Sequence, residues 1–462
     1  FDTVGTASEI YNASGGISEF AMESYFGRIN LSYLDRYILN VTMRSDGSSR
    51  FAPSDRYGYF PSVSLGWNVS KESFWKFPQT DLKFRLSYGK TGNQDGIGNY
   101  AWQPLMSGGI NYGNNSGMAV TSMGNNKLTW ETADQYDFGF DLGFWNGKLN
   151  MIADIYLKNT NNLLYSMPLH GTSGFTSITS NIGSMRNYGG EFSINGHLNI
   201  GKVNWTSSFN ISHNKNKLTK LRGADLLPIG SNRALKVGEE LGAFYLFQMD
   251  GLYQYDGEVP QPLYDLGVRA GDVKYHDADN NGIINDNDRV LTGSSNPDFF
   301  GGWNNTFKYK GFQLDVFFTY MYGNDVYAEW AVTATRPGYR MAITEDVAKN
   351  RWTAPGSSDK YPRAVNTLCG HNSKNSTRFL EDGSFIRLRS LTFSYTFPQV
   401  MLQKICLKGL RLYVQGDNLL LFSKYSGWDP EVSKNMDPQY FGVDLYGVPP
   451  SRSVNFGINL SF

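Results

Sequence analysis

Strict alternation of apolar and polar residues recurs along the chain. In the stretch YDFGFDLGFW, every second residue from 136 to 144 is apolar, and Asp137 is one of the polar or small residues between them. After Asn146 and Gly147 the alternation resumes over residues 149–157. A sustained period of two is typical of a β-strand, and a short Asn-Gly connection is typical of a hairpin. The segment therefore predicts two antiparallel strands.

The same pattern predicts about thirteen strands along the chain. They lie near residues 24–33, 37–46, 57–70, 81–91, 131–145, 149–163, 188–199, 203–216, 298–308, 312–322, 384–397, 409–418 and 452–462. The phase slips between Leu388 and Leu391, which predicts a β-bulge. Strands of a soluble sandwich or propeller, the alternative fold, run about five or six residues. Most of these are roughly twice that length, as tilted bilayer-spanning strands are.

The predicted connections alternate between short and long. The short ones are 34–36, 71–80, 146–148, 200–202, 309–311 and 398–408. The long ones are 47–56, 92–130, 164–187, 217–297, 323–383 and 419–451. Outer-membrane barrels place short turns at the periplasmic rim and long loops outside. The sequence therefore predicts an all-β fold, a transmembrane antiparallel β-barrel.

The final strand predicts the orientation of the barrel in the membrane. The odd number of strands predicts that its wall is incomplete. The last segment, VNFGINLSF, ends on Phe462 and resembles the terminal strand by which bacterial barrels are recognised for insertion, so its end belongs at the periplasmic rim. Bacterial single-chain barrels have an even number of strands. We expect residues 24–462 to be the C-terminal part of a larger barrel, cut in an external loop represented by residues 1–23. The missing strands and plug are then a separate chain.

Composition narrows the possible partners. Lys+Arg and Asp+Glu are both 42, so no basic face for nucleic acid is expected. Aromatic residues make up 15% and glycines number 50, which favours strands and turns. No apolar run approaches the roughly 18 residues of a membrane helix. The two cysteines, Cys369 in an external loop and Cys406 in a periplasmic link, are predicted to be too far apart to pair.

Residues 277–288, DADNNGIINDND, match the EF-hand calcium loop closely. Gly282 occupies the position of the sharp turn, and oxygens at loop positions 1, 3, 5, 7 and 12 bind the cation in such loops. The predicted ligands are Asp277, Asp279, Asn281, the backbone carbonyl of Ile283, and Asp288. The flanks predict no EF-hand helices, and the motif lies in the long loop 217–297. We expect a structural Ca²⁺ site, with Mg²⁺ as the other cation; the alternative is a simple Asx/Gly turn.

Catalysis is not predicted, because the chain contains neither G-x-S-x-G nor H-E-x-x-H. Aromatic residues in external loops suit stacking on sugar rings, with loop packing or lid contact as the alternative. These are Trp102, Trp330, Trp352 and Trp428. Others near strand ends are typical of an interfacial girdle, namely Trp67, Trp145, Trp205 and Trp303. A wet barrel interior is predicted to contain Asp137, Asp141, Asp154 and Lys158.

Several longer stretches carry a family resemblance. They include SYFGRINLSYLDRYILNVTMRSDGSSRF, RYGYFPSVSLGWNVS, LKFRLSYGKTGNQDGIGNY, LTWETADQYDFGFDLGF, PLHGTSGFTSITSNIGSMRNYGGEFSINGHL, DVKYHDADNNGIINDNDRVLTGSSNPDFFGGWNNTFKYKGFQLDVFF, RFLEDGSFIRLRSLTFSYTFP and LRLYVQGDNLLLFSKYSGWDPE. From residue 24 onward, in the same order, the chain resembles the C-terminal part of the SusC/RagA family of TonB-dependent outer-membrane transporters. That family's barrel has about 22 strands.

The resemblance implies active import of oligosaccharides, or of peptides, across the outer membrane of a Bacteroidota-like bacterium. It also implies a SusD-like surface lipoprotein as lid and a TonB complex that pulls on a plug. In this family the calcium-like segment recurs in an external loop without EF-hand helices. The 462 residues are expected to supply barrel wall, outer loops and lid seat, without plug or TonB box. A passive porin and a surface adhesin anchored by a barrel are the alternatives.

Overall fold

The computed structural model describes residues 17–113, 115, 117–223, 225–338, 341–366, 371–402, 407–436 and 440–462. Within these ranges the strands are β1 (Met22–Tyr33), β2 (Tyr37–Ser48), β3 (Tyr57–Asn68), β4 (Thr80–Asn93), β5 (Leu105–Gly108), β6 (Met118–Ser122), β7 (Glu131–Phe144), β8 (Leu149–Pro168), β9 (Ser177–Ile200), β10 (Val203–Leu221), β11 (Leu226–Ile229), β12 (Arg233–Lys236), β13 (Ala243–Phe247), β14 (Met249–Leu252), β15 (Val273–Tyr275), β16 (Arg289–Ser294), β17 (Phe299–Tyr309), β18 (Phe312–Tyr322), β19 (Asp325–Ala328), β20 (Leu380–Asp382), β21 (Phe385–Thr396), β22 (Gly409–Ser423), β23 (Val443–Asp444) and β24 (Ser453–Ser461). The helices are short: α1 (Gln261–Asp265), α2 (Glu329–Ala334), α3 (Glu345–Asn350) and α4 (Gln399–Leu402). None of the helices in the described ranges has the length and apolar character needed to cross a membrane.

Thirteen strands form one sheet, which we call the wall. Their order is β1-β2-β3-β4-β7-β8-β9-β10-β17-β18-β21-β22-β24, so each strand pairs with the wall strand before and after it in the chain. Every pair is antiparallel. The prediction of about thirteen antiparallel strands is confirmed. Within the described residues, β1 and β24 are the two edges of the wall.

Strand register gives the wall an apolar face and a polar face. One row across β3, β4, β7 and β8 consists of Leu65, Leu86, Phe138 and Ile155. The row one residue along consists of Ser64, Ser87, Asp137 and Tyr156. All four side chains of the first row are exposed. Because side chains alternate with a period of two, this register keeps the apolar set on one side across these four strands.

The connections at one end of the wall strands are 34–36, 69–79, 145–148, 201–202, 310–311 and 397–408, and those at the other end are 49–56, 94–130, 169–176, 222–298, 323–384 and 424–452. The predicted alternation of short and long connections is confirmed only in part, because 49–56 and 169–176 are shorter than 69–79 and 397–408. One boundary prediction was wrong: residues 164–187 are not a loop, because β8 and β9 extend as a hairpin and leave only 169–176 unpaired. A register shift beside Asn162, which has φ of 57°, breaks the alternation there and hides the paired ends.

The predicted bulge is present in β21. Against β18, Phe317 pairs with Ser390 and Phe318 with Leu388, so Arg389 is an extra residue on β21. Against β22, Leu388 pairs with Leu420 and Ser390 with Asp417, so there the extra residue is on β22. One extra residue shifts the following part of the strand by one position, so the same face of the sheet is met by residues of the other parity. This explains the phase slip seen in the sequence.

Most of the buried apolar residues lie in the long connections, not in the wall. One cluster draws on three connections and contains Phe244, Leu246, Val326, Tyr327, Phe379, Tyr425 and Val443. A second lies within 222–298 and contains Phe247, Leu252, Tyr253, Val259, Leu263, Val268, Val273, Tyr275 and Ile284. We call the packed segments 222–298, 323–384 and 424–452 the outer layer. These connections form a folded layer at one end of the wall, because their apolar clusters exclude water as the core of a domain does.

Two predictions fall outside the described residues. Most of the predicted external segment 1–23 lies there, with β1 beginning at Met22. Cys369 and Cys406 lie there too, so their predicted separation stays a prediction.

Candidate functional site

The calcium-like motif lies in the outer layer between β15 and β16. Its three acidic residues converge, because carboxylate oxygens of Asp277, Asp279 and Asp288 all lie within 4.8 Å of one another. Asp288 is fully buried, Asp277 is partly buried and Asp279 is exposed. Carboxylate oxygens are the ligands that Ca²⁺ and Mg²⁺ prefer. Three of the five predicted ligands are therefore brought together.

The turn at the centre of the loop is held by Asp277. Its Oδ1 accepts a hydrogen bond from the backbone N–H of Asn281 at 3.2 Å, and its Oδ2 accepts from that of Gly282 at 2.7 Å. The bond from Gly282 is the main cause of a lowered pKa at Asp277, so the carboxylate is charged at neutral pH. Gly282 has φ of +77°, a left-handed conformation that glycine adopts without strain. The sixth position of the loop thus has the residue that its turn requires.

Asp288 closes the loop. Its Oδ1 accepts from the backbone N–H of Ala278 at 2.9 Å, and its Oδ2 accepts from that of Asn285 at 2.7 Å. These bonds tie the second and ninth positions of the loop to its twelfth. One short side chain therefore connects the start of the motif to its end.

The two remaining predicted ligands are arranged differently. The Asn281 side-chain oxygen accepts from the N–H of Ile283 at 2.7 Å, and its amide nitrogen donates to Asp279 at 2.9 Å. The Ile283 side chain is exposed, and its backbone carbonyl is the group the motif assigns to a cation. The acidic residues form the preorganised part of this site, and Asn281 braces Asp279 in the described geometry.

The polar face of the wall carries a charge cluster that the sequence analysis identified only in part. Asp137, Asp141 and Asp154 share this face, as predicted. Arg85 on β4 bridges two of them, with Nη2 at 2.9 Å from both Asp141 and Asp154. The predicted residue Lys158 lies further along the same face of β8. The sequence analysis did not name Arg85, although its position between the apolar residues Phe84 and Leu86 of β4 predicts that it faces the polar side.

The tryptophans predicted to face ligand divide into two groups. The Trp330 indole donates to the Tyr425 hydroxyl at 3.1 Å and packs on the first outer-layer cluster. The Trp352 indole donates to Gln254 at 3.2 Å and packs on the second. Loop packing thus accounts for both, whereas Trp428 is 80% exposed and Trp102 is half-buried.

Most girdle tryptophans have the predicted position. Trp67 is next to the end of β3, Trp145 follows β7, and Trp205 is near the start of β10, where it stacks on Phe307 at 6.1 Å between ring centroids. Trp303 is an exception, because it lies in the middle of β17 and not near an end. Its neighbours Phe209 and Phe318 place it in the apolar row of the wall.

Known proteins resemble this chain over nearly all of its length. Residues 2–419 match the family model described as "TonB dependent receptor-like, beta-barrel". TonB-dependent receptor P3 of Formosa agariphila is 34% identical over 97% of the chain and 46% of the relative. TonB-dependent receptor SusC of Bacteroides thetaiotaomicron is 31% identical over 95% of the chain and 43% of the relative. The chain spans about half the length of the curated relatives it matches.

A solved structure agrees with these relatives. The structure of the RagAB peptide transporter superposes with a TM-score of 0.86 at 26% identity, over 100% of this chain and 50% of the other. The names of these relatives describe receptors and a transporter, and none describes an enzyme. The family match, the SusC relative and the RagAB likeness agree with the two-faced wall and its long outer connections. The chain belongs to the TonB-dependent receptor β-barrel family and, within it, to the SusC/RagA type.

Proposed function

We propose that this chain forms part of an outer-membrane transporter that imports oligosaccharides or peptides through a TonB-dependent mechanism. The observation that carries the proposal is the likeness to SusC and to the RagAB peptide transporter over essentially the whole chain. In this proposal the apolar face of the wall meets lipid and the polar face lines the lumen. The outer layer receives a SusD-like lipoprotein as lid, and the TonB complex acts through a plug.

In this proposal the thirteen-stranded wall is one part of a larger closed barrel. Open sheet edges are not stable in hydrocarbon, because their N–H and C=O groups have no partner there. The edges β1 and β24 therefore support a larger barrel, of about 22 strands, in which this wall is the C-terminal part. The relatives' double length supports the same proposal.

Native purification tests this proposal. Outer membranes are extracted in mild detergent, and every chain that co-elutes with this one is identified by mass spectrometry. We expect peptides from a plug and from further barrel strands, together with a SusD-like lipoprotein. A chain that migrates alone as a folded, heat-modifiable barrel would overturn the proposal and favour a passive porin. A large exported passenger in place of a plug would favour an adhesin.

We also propose that residues 277–288 bind Ca²⁺, or Mg²⁺, to stabilise the outer layer. The convergence of three carboxylates within 4.8 Å supports this, because their mutual repulsion is relieved by a cation. The ligands proposed are Asp277, Asp279, the neutral side-chain oxygen of Asn281, the backbone carbonyl of Ile283, and Asp288. Their role is structural, since a cation that binds only the folded loop offsets part of the entropy that a long connection loses on folding.

Limited proteolysis of the 222–298 connection tests the cation site. We expect millimolar Ca²⁺ to slow cleavage, and Asp277→Asn to raise the Ca²⁺ concentration needed by about tenfold, since ligand charge sets affinity. Glu239→Gln removes one charge from an exposed position in the same connection and is expected to change nothing. Equal protection of wild type and Asp277→Asn would show that the motif is an Asx/Gly turn.

A further inference from the structure

A cavity lies between the polar face of the wall and the outer layer. Its volume is about 390 Å³, within the range of pockets that hold small ligands. The wall side is formed by β8, β9 and β10 near their outer ends, including Met185, Asn216 and Leu218. Register places Met185 and Leu218 opposite each other, on the same face as Asp137 and Tyr156. The cavity therefore opens on the side proposed as the lumen.

The lining is mainly aliphatic, and two of its polar side chains, Asn216 and Asn296, are engaged by the backbone of Leu241. Apolar lining residues include Leu163, Ile182, Met185, Leu218, Leu235 and Leu241. Asn216 exchanges two hydrogen bonds with the Leu241 backbone, at 2.6 and 3.3 Å. The Asn296 amide donates to the same Leu241 carbonyl at 2.7 Å. The aliphatic side chains offer neither donor nor acceptor to the hydroxyls of a sugar, whose burial without partners is unfavourable.

One lining residue, Arg233, brings a positive charge without a counter-ion. Its side chain is 7% exposed, and it makes no ion pair within the described part of the chain. Its Nη1 donates to the Gly242 carbonyl at 3.2 Å, and its Nη2 donates to Ser295 Oγ at 3.1 Å and to the Phe441 carbonyl. The Nε–H has no hydrogen-bond partner in the described residues. All these partners are neutral, and the Phe244 ring, whose centroid lies 4.8 Å from the guanidinium carbon, offers only a cation–π contact. Within the described residues no carboxylate therefore compensates the charge.

The charge persists at neutral pH. Burial lowers the pKa of Arg233 to about 10, which still leaves the guanidinium protonated at pH 7. A buried cation without a counter-ion is costly, and an anion that enters the neighbouring cavity reduces that cost. The cavity thus combines an apolar volume with an electrostatic preference for negative charge.

We propose that this cavity binds a segment of a peptide substrate in which an aliphatic side chain lies beside a carboxylate. This inference rests on the proposed import function and narrows its substrate to peptides. The aliphatic side chain fills the space between Met185 and Leu235, and the carboxylate, from a chain terminus or an acidic residue, compensates Arg233. A neutral oligosaccharide supplies no charge and buries hydroxyls against leucines. The peptide is therefore the occupant that both features of the cavity favour.

Binding to the intact, purified complex tests the proposal. The probes are the tetrapeptide Ala-Gly-Leu-Leu with a free C-terminal carboxylate, the same peptide as C-terminal amide, and maltotetraose, measured by calorimetry. We expect the free acid to bind at least about tenfold more tightly than the amide, as a charged hydrogen bond implies, and maltotetraose not to compete. Arg233→Gln is expected to abolish the difference between acid and amide, and Arg233→Lys to retain it.

A second variant tests the cavity without changing Arg233, whose substitution could itself disturb folding. Met185→Trp fills the cavity from the wall side without changing charge, and is expected to weaken binding of the free acid by about tenfold or more. Folding of each variant is checked by heat-modifiable migration. Equal binding of acid and amide to the wild-type complex would overturn the proposal, as would a Met185→Trp complex that binds like wild type. Both results are distinct from failure of the import function, in which no plug or lid chain is recovered.

Discussion

Asp429→Ala is expected to lower the free energy of opening of the outer layer by about 3 kcal/mol, at the lower end of the usual 3–5 kcal/mol for breaking a buried ion pair. Arg387 Nη2 lies 2.6 Å from Asp429 Oδ1, and the two side chains are only 3% and 5% exposed. Removing the carboxylate leaves a buried guanidinium with one other acidic neighbour, Glu431, at 3.4 Å. Since Glu431 is more exposed, it compensates the charge only in part.

The effect is expected at a particular place in the molecule. Arg387 is on β21 of the wall, and Asp429 lies in the 424–452 connection, so the pair ties the outer layer to the barrel. Hydrogen exchange of backbone amides in residues 424–436 measures this opening directly. A loss of about 3 kcal/mol corresponds to a fall in protection of roughly a hundredfold.

Two controls separate the ion pair from general damage. The double variant Arg387→Met with Asp429→Leu is expected to recover most of the protection, because an apolar pair of similar size avoids the buried charge. Glu345→Gln breaks the ion pair with Lys349, in which both side chains are largely exposed, and is expected to have little effect. If Asp429→Ala and Glu345→Gln changed protection equally, the buried pair would not hold the outer layer in place.

The wall was predictable because each strand meets the same two environments along its length. Leu86 and Ser87 belong to rows that continue across the neighbouring strands. The alternation within one strand therefore indicates which residues of the next strand share its face. The hairpin end around Asn162 was missed for the same reason, since a register shift removes the alternation that signals pairing. Alternation in the sequence therefore predicts the bounds of a strand only where the strand pairs without a register shift.

The outer layer was not predictable in the same way. Tyr327 and Val443 are buried together through a parallel pairing between connections far apart in the chain, and their local sequences show no period. Long connections were therefore treated as loops, although they contain most of the buried apolar residues. Contacts between distant segments decide this packing, and a single sequence does not reveal them.

The candidate sites show the same division. The ligand set of residues 277–288 was readable because its geometry is local, and a glycine and three acidic residues at fixed spacing determine it. Arg85 and Arg233 were missed because their partners lie elsewhere in the chain. The partner of Arg233 that is nearest along the chain, Gly242, lies just before β13. Another partner, Phe441, lies in the 424–452 connection.

Leu86→Arg is expected to destabilise the inserted barrel by about 2–4 kcal/mol, the usual cost of arginine on the lipid face near the bilayer centre. Leu86 is 52% exposed on the apolar face, in the middle of β4, between Leu65 and Phe138. At that depth the guanidinium has no water or carboxylate partner. The full transporter is expressed in outer membranes, and the fraction of folded, heat-modifiable barrel and its urea midpoint in lipid vesicles are measured.

Ser87→Arg is the matched control, since it places the same side chain one residue further along the same strand. Ser87 lies on the polar face between Ser64 and Asp137, where water and a carboxylate are available to the guanidinium. We expect its folded fraction and urea midpoint to stay close to those of the wild type. The difference between the two variants depends only on which face meets lipid. If both variants insert equally well, the apolar face does not meet the bilayer, and the wall is not a membrane-spanning barrel.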